Sequence, residues 1–264
     1  MPPTPPILTV AEHAEGLGDA VAVIRANAVA AGLDAVVPTC PGWSVRDLVT
    51  HLGVVHRWAD AVLTGRVSPP ATGIDQPAVE AEARAAADVL DWLDDGLVDL
   101  VNTLAHSPDD LEAFFFLSDA PPARQAWARR QCHEATVHAV DAMSARLRRS
   151  PTAAETWIRP RLAADGIDEL LTGFLPRRSS TVRSEQPIRV AVLPADVEQA
   201  WLLDIGPGPV VATRTGTDTA ADVTLRGSAV QLYLALWNRG EEIEVAGSDQ
   251  WLAGWREQMR VRWS

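Results

Sequence analysis

Two residues in the middle of the chain have the spacing of metal ligands on a helix. Glu134 and His138 are four positions apart, so in a helix they lie on one face, one turn apart, and can point at the same cation. Asp141 continues this stripe by a further turn, where a carboxylate can hold the second nitrogen of a metal-bound imidazole. The pattern permits a metal site, although pairs with this spacing also arise on exposed helices as simple side-chain contacts.

His51 is the candidate for a third ligand. It lies far from the pair in the sequence and could reach the same ion from a facing helix of a bundle, which is where such proteins build metal sites. Asp47, one turn earlier, is a candidate to support His51 unless its carboxylate caps the helix. The remaining four histidines are interpreted as surface or hydrogen-bonded side chains: His13, His56, His106 and His133. His56, five residues after His51, points well off the face of His51, so a role in a pocket stays open for it but ligation beside His51 is not expected.

The segments that would carry these residues have the periodicity of four long helices. Apolar residues recur at helical spacing, and Pro and Gly clusters separate the segments. Ser44 followed by Asp47 fits a capping box that starts the second helix. The predicted helices cover residues 9–31, 45–63, 78–105 and 123–147. We expect them to form a four-helix bundle in a first domain, residues 1–150.

After residue 150 the pattern becomes mixed. Short β-branched runs predict strands, and two further segments predict helices near the end of the chain. We expect a smaller α+β domain over residues 151–264. It should begin with a helical piece at 153–175. The predicted strands are 188–193, 200–205, 210–214, 222–225 and 242–245, and the predicted helices are 228–237 and 249–259.

Composition excludes several classes of partner. The chain has 264 residues and a formal net charge of −12, which argues against a nucleic-acid partner because phosphate binding needs an excess of positive charge. No apolar run approaches the roughly 18 to 20 residues of a membrane span. The proline-rich start, residues 1–6, lacks the pattern of a secretory signal, and two cysteines are too few for a disulfide scaffold. We expect a cytoplasmic protein.

Two segments identify a family resemblance. Residues 39–52, TCPGWSVRDLVTHL, and residues 133–142, HEATVHAVDA, resemble the mycothiol-dependent maleylpyruvate isomerase family, which belongs to the DinB-like metalloenzyme superfamily. The likeness extends to residues 223–239 of the second domain, through a looser motif. The resemblance implies a DinB-like bundle that holds a divalent metal, usually zinc, with His51, Glu134 and His138 as ligands. It also implies a C-terminal α/β domain similar to sterol carrier proteins.

The resemblance implies a reaction as well. Metal coordination would generate the thiolate of mycothiol, a low-molecular-weight thiol, for addition to the cis double bond of a maleyl-type diacid; rotation and expulsion of the thiol then give the trans product. An arginine of the second domain is needed in the isomerase, with Arg239 the first candidate and Arg226 the second. Its guanidinium would hold a substrate carboxylate. A monomer is expected.

Two alternatives remain open from the sequence. The same activated thiol could attack an electrophile and stay attached, which is the chemistry of a mycothiol S-transferase in detoxification or natural-product biosynthesis. The chain could also be a non-enzymatic module that binds a metal or another ligand, with some of its ten tryptophans lining a groove. The metal triad is shared by members with different reactions, so it specifies the metal better than the substrate.

Overall fold

The helices of the N-terminal half begin at side-chain caps that can be read in the sequence. In the computed structural model, which describes residues 8–71, 73–117, 120–216 and 219–259, Thr9 and Glu12 form a capping box at the first helix, and Ser44 and Asp47 form one at the second. Each box satisfies backbone N–H groups that have no partner inside the helix. The proline-rich start at residues 1–6 lies outside the described residues. The helices are α1 (Val10–Ala31), α2 (Val45–Leu63), α3 (Gln76–Ala85), α4 (Val89–His106) and α5 (Ala123–Leu147).

The third predicted helix is in fact two helices. The prediction of one helix over residues 78–105 is wrong because Ala86 leaves helical geometry and Asp88 caps a new helix, its carboxylate accepting a hydrogen bond of 2.8 Å from the Leu90 N–H. Aspartate competes with the helix interior by bonding to nearby backbone groups, which is why it favours such caps.

The four long helices pack as a ring of neighbours. α1 contacts α5, α5 contacts α2, α2 contacts α4, and α4 contacts α1. Residues 8–116 and 120–151 together make one compact unit. Every side chain of α5 from Ala126 to Ala145 is buried. The candidate ligands Glu134 and His138 therefore lie on a buried stretch of helix.

The second unit holds Leu117 and the described residues from Thr152 onward, and it is a mixed α+β structure. Its sheet has the strand order β3-β2-β1-β4-β5, in which only the β1–β4 pair is parallel. Helix α7 contacts β4 and β1, and it also packs against α6. The strands are β1 (Ile188–Pro194), β2 (Ala200–Ile205), β3 (Val211–Thr215), β4 (Val223–Gly227) and β5 (Glu244–Ala246), and the helices are α6 (Pro160–Asp168), α7 (Ala229–Leu236) and α8 (Trp251–Gln258).

The α+β class expected from the sequence is confirmed, with one correction in the second unit. The helical piece expected at 153–175 is interrupted: a short 3-10 turn at Ala153–Glu155 is followed by α6, which begins at Pro160 and continues as a π-helix over Glu169–Phe174. Pro160 causes the break, because proline fits the first turn of a helix and not its interior. Within the described ranges, no helix is both long and apolar enough to cross a bilayer.

Candidate metal centre

The three predicted ligands meet at one point between α2 and α5. Nε2 of His51 lies 3.2 Å from Oε1 of Glu134, and Nε2 of His138 lies 3.2 Å from the same oxygen. The ligand atoms of all three residues lie within 4.8 Å of one another. The helical spacing of Glu134 and His138 and the α2–α5 contact therefore bring together the residues that the sequence singled out.

The donor set fits a divalent ion. Two donors that each lie about 2.0 to 2.2 Å from a tetrahedral ion are separated by about 3.3 Å, close to the two nitrogen-to-oxygen distances in this cluster. Two imidazoles and one carboxylate are also the ligands that zinc takes in catalytic sites, where a fourth position stays open. Glu134 and His138 are buried, and His51 is half-buried. Of the three side chains, His51 is therefore the one that solvent reaches most.

Glu134 is held as a carboxylate by its neighbours. Its second oxygen, Oε2, accepts a hydrogen bond of 3.3 Å from Nη2 of Arg130, one turn earlier on α5. Burial alone would raise the pKa of Glu134, but hydrogen bonds with His138 and His51 and the charge of Arg130 outweigh it and lower the pKa. The carboxylate is therefore in the ionised form that a cation needs. Arg130 contacts only Oε2 in this pair, and Oε1 faces the two histidines.

His138 is oriented through its other nitrogen. Nδ1 of His138 lies 3.0 Å from Oδ2 of Asp141, which is fully buried. Two side chains from the loop before α2 fix that carboxylate: the Thr39 hydroxyl donates to Oδ1 at 2.5 Å, and the Cys40 thiol donates to Oδ2 at 3.2 Å. Burial alone would lower the pKa of His138, but hydrogen bonds with Asp141, Cys40 and Glu134 raise it well above its ordinary value.

The same loop places an aromatic ring against both histidines. The Trp43 ring stacks on His138, with centroids 5.9 Å apart and planes 18° apart, and it lies 5.0 Å from the His51 ring. The loop is closed by backbone hydrogen bonds from Val37 N–H to Trp43 O and from Trp43 N–H to Cys40 O. Gly42, at φ 87°, adopts the left-handed conformation that this tight turn requires. Thr39, Cys40 and Trp43 thus fix the two imidazoles from one rigid loop.

Several residues have a different environment from the one expected. Asp47 is used by the helix cap, where Oδ2 accepts from the Ser44 N–H and hydroxyl. Of the four histidines set aside, only His106 is exposed. His13 and His133 are fully buried and lie against one another. His56 is fully buried, so it is not a surface residue, and neither of its ring nitrogens has a hydrogen-bond partner within the described residues.

The sequence analysis missed Arg130, Thr39, Cys40 and Trp43. Arg130 could have been found, since it precedes Glu134 by four residues on the same helix. The loop residues belong to the motif at 39–52, but nothing in their spacing indicates a contact with a helix about 100 residues later. Cys40 and Cys132 are not joined in a disulfide, and Cys132 is fully buried.

The two candidate arginines lie in the second unit. Arg239 follows α7, where its N–H donates to the Leu234 carbonyl at 2.7 Å and its Nη1 donates to the Trp237 carbonyl at 2.8 Å. Asn238, at φ 62°, provides the left-handed residue that ends the helix. Arg226 is exposed on β4, opposite Glu244 of β5. The role of either side chain toward a substrate stays a prediction.

Comparisons with known proteins point to one family. A model of the mycothiol maleylpyruvate isomerase N-terminal domain matches residues 14–143, and a model of the C-terminal domain of that family matches residues 161–254. A crystal structure of the mycothiol-dependent maleylpyruvate isomerase matches with a TM-score of 0.59 and 14% identity, over 90% of this chain and 93% of that one. A histidine-to-alanine variant of that enzyme matches with a TM-score of 0.56, at the same identity and coverage. No curated protein sequence matches significantly.

Proposed function

This chain belongs to the mycothiol maleylpyruvate isomerase family, and from that premise we propose that it is a metal- and thiol-dependent isomerase of the maleylpyruvate isomerase type. His51, Glu134 and His138 would hold a divalent metal, zinc being the best fit to the donor set. The observation that carries the proposal is the meeting of these three donors around one point, with Asp141 supporting His138. The proposed partners are mycothiol and a small electrophilic diacid.

In this proposal, different residues of the site bind the metal and hold the metal-binding side chains in place. When bound, the metal would lower the pKa of the thiol so that a thiolate nucleophile is present at neutral pH for reversible addition to the double bond. Glu134 and the two histidines supply the binding charge and the nitrogen donors. Asp141 keeps the His138 ring in place, and Trp43 covers the faces of both imidazoles.

Arg239 is proposed to bind a carboxylate of the substrate. A guanidinium group offers two parallel N–H donors that match the two oxygens of a carboxylate. Such an ion pair would hold the diacid while the bond between its former double-bond carbons rotates. The role is assigned to Arg239 rather than to Arg226 by the family resemblance of the segment that ends at residue 239.

The proposal is tested by mixing zinc-loaded protein with mycothiol and maleylpyruvate and following the ultraviolet absorbance of the substrate. We expect conversion to the trans isomer that depends on both metal and thiol. His138→Ala should abolish bound metal and lower the rate by at least about a hundredfold, as expected when a metal ligand or its support is lost. His106→Ala, at an exposed histidine of α4, is the matched control and should leave the rate unchanged.

The S-transferase alternative gives a different result in the same experiment. A transferase would bind metal and mycothiol, leave maleylpyruvate unchanged, and consume one thiol for each electrophile that it modifies. Mass spectrometry of the small molecules after incubation with an electrophile separates the two, because only a transferase yields a stable thiol adduct. A native protein that binds no metal would contradict both enzymatic functions.

A further inference from the structure

Two polar side chains in the helical unit are buried without protein partners. His56 of α2 and Gln131 of α5 are both fully buried. Neither ring nitrogen of His56 and neither polar atom of the Gln131 amide has a hydrogen-bond partner among the described residues. Neither residue belongs to the metal triad, and neither has another role among the contacts described above.

A buried polar atom without a hydrogen-bond partner destabilises the folded protein, and native proteins satisfy the great majority of these atoms. Asn27 on α1 shows the usual arrangement, because its amide nitrogen donates to the Val23 carbonyl at 2.8 Å and its oxygen accepts from Arg146 at 2.6 Å. Unlike Asn27, His56 and Gln131 therefore have hydrogen-bonding capacity that the described residues leave unused.

Contacts between α2 and α5 define where these two residues lie. His51 meets Glu134, and seven residues further along α2 Trp58 meets Trp127, with ring centroids 4.9 Å apart. Because Trp127 precedes Glu134 on α5, the two helices run antiparallel. His56 and Gln131 both fall between these two contacts, in a stretch about 10 Å long at a rise of 1.5 Å per residue.

The orientation of each residue also points to the interior next to the metal triad. Gln131 precedes His138 by seven residues, so it lies on the same side of α5, two turns away. His56 follows His51 by five residues and is turned by about 140° from it, toward the interior of the bundle.

We propose that His56 and Gln131 form the inner polar end of the substrate pocket and bind an uncharged amide or carbonyl group of a ligand whose reacting atoms lie at the metal triad. The inference rests on the proposed function and names a subsite for it. Two sources offer this chemistry: mycothiol carries amides near its sulfur, and maleylpyruvate carries a ketone.

The chemistry of the two side chains favours an uncharged group over a carboxylate. Burial lowers the pKa of His56 to about 3, so the ring is neutral at physiological pH, with one nitrogen that donates and one that accepts. The Gln131 amide likewise offers donors and an acceptor without charge. The nearby guanidinium of Arg130 is engaged by Glu134. An anion at this subsite would therefore lose its hydration without a countercharge from either residue.

The test uses two near-isosteric apolar variants, Gln131→Met and His56→Leu, in the zinc-loaded protein. Removing unpartnered polar atoms relieves their burial cost, so both variants should melt at a temperature equal to or above that of the wild type. Calorimetry should show binding of one probe, mycothiol or maleylpyruvate, weakened about tenfold, as expected for the loss of one hydrogen bond. The probe that is weakened identifies which of the two ligands supplies the polar group.

Asn27→Leu is the matched control. It removes a buried amide that has partners, so it should lower the melting temperature and leave both affinities unchanged. Unchanged affinity for both probes in Gln131→Met and His56→Leu would overturn the proposed subsite. If the wild type binds neither probe, the proposed function is contradicted, and the melting temperatures of Gln131→Met and His56→Leu test the subsite alone. A higher melting temperature than that of the wild type supports a polar site that an external group fills. A lower one shows that the two residues are satisfied within the protein.

Discussion

Single residues around His138 show how the candidate site is held. The ring contacts Glu134 through Nε2 and Asp141 through Nδ1, and the Trp43 indole stacks on its face. Asp141 in turn accepts hydrogen bonds from Thr39 and Cys40. Side chains that orient a ligand in this way commonly change metal affinity by 10- to 100-fold when they are removed.

We therefore predict that Thr39→Val and Cys40→Ala each weaken zinc binding by about tenfold, because each removes one of the two donors that hold Asp141. Competition with a chromophoric chelator measures the affinity. Cys40→Ser keeps a donor and should retain most of it. Cys132→Ala changes the other thiol, which is buried elsewhere on α5, and should not affect zinc. Wild-type affinity in the Thr39→Val, Cys40→Ala double variant would show that the loop does not position His138.

Metal binding should also depend on pH in a defined direction. Burial opposes protonation of His138, but hydrogen bonds with Asp141, Cys40 and Glu134 raise its pKa well above the ordinary value, so the metal-free ring carries a proton at neutral pH. A cation at Nε2 must displace that proton. The affinity should fall about tenfold per unit as the pH drops below this raised pKa. Glu134, whose pKa is lowered, stays ionised throughout.

Calorimetry in buffers of different ionisation enthalpy measures this linkage. We expect release of about one proton per ion at pH 7. A binding enthalpy that is independent of the buffer would show that His138 is already neutral in the metal-free protein.

The candidate ligands could be named from the sequence, but their surroundings could not. Glu134 and His138 share a helix face by spacing alone, and His51 was a candidate from a facing helix before the family resemblance implied the same residue. The contacts of Thr39 and Cys40 with Asp141 span about 100 residues of chain, and no local rule links a loop to a distant helix. The buried state of His56 was missed although the residue lies four positions after Leu52 and seven after Val49, on the apolar stripe of α2.

At the scale of the helices, the position of His51 depends on how α2 packs against its neighbours. On the side of α4, Trp92 packs over the backbone of Gly53, and the Arg57 guanidinium lies 3.7 Å from the Trp92 ring centroid while donating to the Gly53 and Trp92 carbonyls. A side chain at residue 53 would overlap the Trp92 ring. This close approach fixes the helix that presents His51.

Gly53→Ala should therefore destabilise the protein by about 1 to 3 kcal/mol, the cost of overpacking a well-filled core, although alanine is the better helix former. Gly18→Ala on α1 is the control, because no atom would contact the added methyl group and alanine should stabilise that helix by about 0.5 to 1 kcal/mol. Urea denaturation measures both changes. Equal effects at the two positions would show that Trp92 moves aside without cost.

The start of a helix could be predicted where the capping residues form a distinctive pair. It could not be predicted where several residues nearby could cap the helix equally well. Ser44 with Asp47 marks the start of α2 unambiguously. Asp88, which caps α4, lies in an alanine-rich run that favours continued helix and precedes other aspartates that could serve equally well, so the break before α4 gives no clear local signal.

The whole molecule combines a helical unit that holds the candidate metal centre with an α+β unit that carries Arg226 and Arg239. Both units match their counterparts in the isomerase family. The proposed metal binding and the proposed carboxylate binding can be tested separately, because the candidate arginines and the candidate metal ligands belong to different units.

We predict that Arg239→Ala raises the KM for maleylpyruvate by at least about tenfold, since a charged hydrogen-bonded pair contributes more than a neutral one. Bound zinc should stay at the wild-type level. Arg226→Ala, at the exposed alternative on β4, should leave KM unchanged. Steady-state kinetics and metal analysis decide between the two arginines, and the reverse pattern would assign the carboxylate to Arg226.

We propose that one divalent cation binds between His51, Glu134 and His138. Anomalous X-ray diffraction at the zinc edge, from crystals of the zinc-loaded protein, locates such an ion. We expect one peak per chain, about 2.0 to 2.2 Å from Nε2 of His51, Nε2 of His138 and Oε1 of Glu134. A peak at another position, or full zinc loading of the chain with none at this triad, would contradict it.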